Sequence, residues 1–110
     1  MADQTVTLRK TRDDLGSRFL GATLSTDGTL TIEGQALGRG VERIFGNGNT
    51  EYEWAWTFTP ASATALAKSL GCENVLDGLT DLFSSDASAN LKSYLDDNGI
   101  KYEAWSRIGN

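Results

Sequence analysis

The chain has 110 residues, 39% of them hydrophobic and 23% charged, the composition of one water-soluble domain with enough length to enclose one core. Fifteen acids against ten bases leave a net charge of −5, and there is no histidine and a single cysteine, Cys72. Those counts exclude an internal disulfide framework, a multi-cysteine metal site and any Ser-His or Cys-His nucleophile arrangement. No apolar run of about 18 residues is present to span a membrane. The polar stretch from Met1 to Lys10 also lacks the apolar segment of a secretory signal, so no signal peptide is expected.

The first half of the chain alternates as strands do. Thr5 to Arg9 places Val6 and Leu8 on one face, and Ser17 to Ser25 does the same with Leu20, Ala22 and Leu24. Asp27-Gly28 follows between two β-rich runs, a hairpin signal because glycine accepts positive φ. Leu30 and Ile32 begin a third strand, which Gly34, Gly38 and Gly40 interrupt. Arg39 to Phe45 reads as a short helical turn with Arg39 and Arg43 on one side and Phe45 toward the core, and Gly46-Asn47-Gly48-Asn49 as a turn. The fourth strand, TEYEWAWTF, carries Tyr52, Trp54, Trp56 and Phe58 on one face and Glu51, Glu53, Ala55 and Thr57 on the other. One face calls for a core and the other tolerates water.

Helical spacing takes over after Phe58. Thr59 as N-cap and Pro60 at the first position open an alanine-rich helix that Gly71 closes. Asn74 caps a second helix with Val75, Leu79, Leu82 and Phe83 in a stripe. Ser85 or Asp86 caps a third, with Ala87, Leu91, Tyr94 and Leu95 recurring, and Gly99 ends it. Ile100 to Ile108 is a last strand, with Ile100, Tyr102 and Ala104 against Glu103, Trp105 and Arg107. The expected architecture is one α+β domain, an antiparallel sheet of about five strands with three helices from the C-terminal half on one face.

Charge is distributed unevenly. Residues 1–43 are neutral overall, whereas residues 44–100 hold eight acids and only Lys68 and Lys92 as bases. Such acidity repels phosphate backbones, so no nucleic-acid partner is expected, while a basic protein partner is compatible with it. Glu51 and Glu53 share a strand face about 6.5–7 Å apart, a spacing open to carboxylate or divalent-metal chemistry as well as to plain solvation. Asp96-Asp97-Asn98-Gly99 lacks the spaced acids of a calcium loop, and neither Gly38-Arg39-Gly40 nor Gly46-Asn47-Gly48 completes a phosphate-binding motif. Cys72 has no basic neighbour in sequence to activate it and reads as an inert thiol. No metal or cofactor is expected.

The row Glu103, Trp105 and Arg107 has the composition of an interaction hot spot, a large aromatic between an acid and an arginine; stacking of Trp105 on Arg107 within the chain is the alternative. TEYEWAWTF, GQALGRGVERIFG and the closing GIKYEAWSRIGN resemble a group of small uncharacterised actinobacterial proteins. The resemblance implies a free-standing cytoplasmic bacterial protein and carries no activity, cofactor or site residue with it. The expected function is a non-catalytic protein-interaction module. Its candidate surface comprises Glu51, Glu53, Glu103, Trp105 and Arg107, with Arg39 and Arg43 on the glycine-flanked segment. The alternatives are an immunity- or antitoxin-type inhibitor of a basic enzyme, and a small carboxylate-dependent enzyme or divalent-metal binder. The edges of an open sheet also leave a homodimer open.

Overall fold

In a computed structural model that describes residues 3–14, 16–46, 48 and 50–109, five strands form an antiparallel meander in chain order. They are β1 (Gln4–Asp13), β2 (Gly16–Leu24), β3 (Leu30–Leu37), β4 (Glu51–Phe58) and β5 (Glu103–Gly109). Helix α1 (Arg39–Phe45) joins β3 to β4; α2 (Pro60–Ser69), α3 (Val75–Phe83), a 3-10 helix (Ser85–Asn90) and α4 (Leu91–Asp97) lie between β4 and β5. The fold is therefore α+β, with the helices mostly in the C-terminal half. Asn47 and Asn49 of the expected turn, and the side chain of Phe45, lie outside the described residues.

Local chemistry sets most boundaries. Between β2 and β3, Gly28 takes φ 92°, Ser25 N–H donates to Thr29 O at 2.9 Å, and Thr29 N–H donates to the Asp27 carboxylate at 2.9 Å. That bond holds the Asp27 carboxyl below its ordinary range. Thr59 caps α2 by accepting from Ser62 N–H at 3.2 Å, with Pro60 at the first position. Asn74 caps α3 through Leu76 N–H at 2.8 Å, and Gly71 and Gly99 adopt the positive φ at which α2 and α4 end.

Alternation sorts the sheet into two faces. Cross-strand rows Leu24–Leu30–Phe58 and Ala22–Ile32–Trp56 face the helices, and Phe58, Leu30 and Ile32 are fully buried beneath Leu66, Leu79, Leu91 and Leu95. Each such side chain contributes roughly 1.5–3 kcal/mol by leaving water, which makes this layer the main stabilising contact. Tyr102 joins it as a tilted ring, its centroid 5.5 Å from that of Phe58 and 5.2 Å from that of Trp56.

Four expectations need correction. Leu82 is 52% exposed, and Leu76 takes its place in the α3 stripe beside Val75, Leu79 and Phe83, because the buried arc is set by what lies beneath it. The third helix starts as a 3-10 segment after Ser84, and neither Ser85, at φ 55°, nor Asp86 caps α4; the α-helix begins only at Leu91. Ala104 pairs with Trp56 on the helix side yet is exposed, since β5 is an edge and starts at Glu103, whereas Ile100 is buried before the strand begins. Gly34 does not interrupt β3: it pairs with Leu20 and Trp54, and a Cβ there would collide with the Trp54 indole. The glycine is the space that lets the indole lie across the strand.

Candidate functional site

The face turned away from the helices carries five of the seven sequence-predicted site residues. Register pairs Glu53 with Arg107, Ala55 with Trp105 and Thr57 with Glu103, while Glu51 sits opposite Gly109. Trp105 is 55% exposed there, so its indole neither enters the core nor is covered by another element. Farther across the same face, Leu37 and Phe19 are each 38% exposed, and Phe19 lies flat over Gly21, where an added Cβ would come within 2.8 Å of its ring. Gln35 donates from Nε2 to Glu53 Oε1 at 3.3 Å. A hydrogen bond with the Glu53 carboxyl, then partial burial and the like charge of Glu53, hold Glu51 above the ordinary glutamate range; Arg107 and Gln35 act in the opposite direction. Two acids, an arginine and an aromatic ring thus form a connected patch.

Arg39 and Arg43 are not part of it. Both are on α1, where the Arg39 guanidinium donates to Asp14 O at 2.9 Å and so ties the helix to the end of β1, while Arg43 is exposed. The Asp96 carboxylate is engaged at the end of α4: Lys92 Nζ donates to Oδ2 at 2.8 Å and the Tyr102 hydroxyl to Oδ1 at 3.2 Å. The Lys92 hydrogen bond is the chief cause that holds Asp96 below the usual carboxylate range. Cys72 is half-buried and its thiol donates to Ala67 O at 3.5 Å. Among the described residues, no three acidic or cysteine side chains gather where they could share a metal ion.

A second site was not legible in the sequence. The helices cover only one end of their sheet face. At the other end lies a cleft of about 430 Å³, floored by Tyr52, Trp54 and Trp56, walled on one side by Val41 and Ile44 of α1, and on the other by Ser88, Ala89, Leu91 and Lys92. The indoles of Trp54 and Trp56 have centroids 4.5 Å apart and are tilted by 37°. Arg9 and Arg18 line the cleft as well.

Arg9 reaches that side through a β-bulge. Regular alternation from Val6 and Leu8 would send Arg9 to the outer face. Instead the β1–β2 register shifts between Thr7 and Arg9, so that Arg9 pairs with Leu20 and joins Leu8 on the helix side. Its Nε–H is enclosed and finds no hydrogen-bond acceptor among the described residues. The only sequence signal would have been one extra residue in the alternation, which a single sequence does not mark.

No helix among the described residues is long and apolar enough to cross a membrane. Comparison with protein-family models, with curated proteins and with solved structures found no match to this chain.

Proposed function

We propose that this protein is a non-catalytic protein-interaction module of the bacterial cytoplasm, working through the outer sheet face. The observation that carries the reading is the exposed Trp105, set between Glu103 and Arg107, with Glu53 opposite that arginine, on a face where Phe19 and Leu37 add apolar area. Exposed aromatics ringed by paired charges are the usual anchors of protein contacts, because the ring supplies area and the charges supply orientation. The chemistry at hand agrees: the chain has no imidazole, and its thiol is half-buried against a carbonyl oxygen. Neither nucleic acid nor membrane is part of this reading, given the net charge of −5.

A second reading has a specific observation in its favour. Glu33, Glu51, Glu53 and Glu103 share the outer face by register, and such a set suits an immunity-type inhibitor that covers the basic site of an enzyme. The two readings part on salt. Affinity capture from host lysate with the full chain and with Trp105→Ala and Glu53→Gln is the test. A protein lost on Trp105→Ala but retained at high salt supports the module. One released by salt and by Glu53→Gln supports the inhibitor. Identical captures by all three proteins overturn both. Sedimentation of the same samples reads whether β5, a free sheet edge, pairs two copies of the chain.

A further inference from the structure

The open cleft has a character opposite to that of the rest of the molecule. The protein is acidic overall, yet the cleft is lined by Arg9, Arg18 and Lys92 against one acid, Asp13. Lys92 is committed to Asp96, whereas neither arginine forms an ion pair among the described residues. Among the described residues the buried Arg9 Nε–H has no acceptor, so this guanidinium is not spent on the fold. Below the arginines lie the tilted indoles of Trp54 and Trp56, with Gly34 leaving room for the first to lie flat. Val41 and Ile44 close the apolar side.

From these features we infer that the cleft is a small-molecule site for a planar aromatic carboxylate. The ring stacks on the tryptophan floor, where offset ring pairs gain beyond plain burial, and the carboxylate accepts from the Arg9 guanidinium with Arg18 at the rim. A volume of about 430 Å³ holds a molecule of one to three rings, within the range of small ligand sites. A carboxylate answers the excess of positive charge at the cleft, which a neutral ring does not. The bulge in β1 supports the same conclusion, since it turns a charged side chain toward an interior face. The cleft and Trp105 lie on opposite faces, so this inference does not depend on the outer face being an interface.

The test is a titration of the full-length, 15N-labelled protein with 2-naphthoate, and separately with 2-naphthylmethanol as a neutral ring of the same shape, followed by the three indole N–H signals. The expected result is saturable movement of the Trp54 and Trp56 signals, with Trp105 stationary. Arg9→Gln is expected to weaken 2-naphthoate about tenfold or more and 2-naphthylmethanol less than about twofold, the signature of a lost charged hydrogen bond. Ala36→Leu, which adds bulk inside the cleft, weakens both. Should Arg9→Gln not fold, the exposed Arg18→Gln reads the same discrimination between acid and alcohol. Absence of saturation at millimolar ligand, movement of Trp105 alone, or equal losses for acid and alcohol in the arginine variant would each overturn the inference. Tighter binding of decanoate than of 2-naphthoate would do the same, because a flexible chain does not need a stacking floor.

Discussion

The two ends of the helix-facing sheet surface are built from the same strands, yet they are different materials. At the covered end the rows read Leu24–Leu30–Phe58 and Ala22–Ile32–Trp56, with α2 and α3 laid across them. Two rows along the same strands, the residues are Arg18, Ala36, Tyr52 and Ile108, with α1 on one side and the 3-10 helix and the start of α4 across the open cleft. Trp54 and Gly34 mark the border. The lesson is that a sheet face is not one environment. Aliphatic side chains serve where helices exclude water, and rings and arginines serve where the cover ends, since these combine apolar bodies with polar tips. Stability is concentrated at one end, which leaves the other free to hold a ligand.

Several substitutions break or sharpen that contrast. Phe58→Ala, at a position with no exposed surface, is expected to cost about 3–5 kcal/mol in a denaturant titration. A cost under about 1 kcal/mol would mean the covered end is not the stabilising one. Next come paired enlargements. Ala22→Leu, in the filled region, is expected to destabilise by about 1–3 kcal/mol, whereas Ala36→Leu, in the cleft, stays within about 0.5 kcal/mol of the parent. Equal costs at the two alanines would erase the difference between the ends. Thr59→Ala removes the side-chain acceptor at the start of α2 and so loosens the cover itself; about 1 kcal/mol is expected, read by thermal unfolding.

The smallest effect is on the outer face. Glu51 titrates higher folded than unfolded, so the folded chain binds more protons in the interval between those values, and stability falls as pH rises through it. Glu51→Gln is expected to remove that fall, making the difference in midpoint temperature between parent and variant change with pH across the weakly acidic range. A difference independent of pH would show that the Glu51–Glu53 contact does not form in solution.

What the sequence made legible was whatever depends on neighbours in the chain. The aromatic alternation of β4, the Asp27-Gly28 turn, the Thr59-Pro60 start and the Asn74 cap are all decided within a few residues, and all are found. Placement of Glu51, Glu53, Glu103, Trp105 and Arg107 on one face followed from period two alone, once β4 and β5 were neighbours. Features set by distant partners were not legible. Leu76 displaces Leu82 because of where α3 rests on β1, and β3 runs through Gly34 because Trp54, twenty residues on, needs the space. Arg39 and Arg43 are on α1, which walls the cleft on the helix side of the sheet, and Arg39 is spent on Asp14 O rather than on the acidic patch. The cleft itself is assembled from β1, β2, β3, α1, β4 and residues 88–92, none of which announces it.

The bulge between Thr7 and Arg9 has one more consequence. It sets a phase for the remainder of β1: Arg9, Thr11 and Asp13 pair inward, while Lys10 and Arg12 look out. Excising Leu8 would only close the bulge and leave Arg9 opposite Leu20. Regular pairing of the intact chain past Thr7 would instead set Leu8 against Leu20 and Arg9 against Phe19, exchanging the two sets wholesale and bringing a lysine to the threshold that an arginine now occupies. The orientation of half a strand thus rests on one residue in excess of its partner's count.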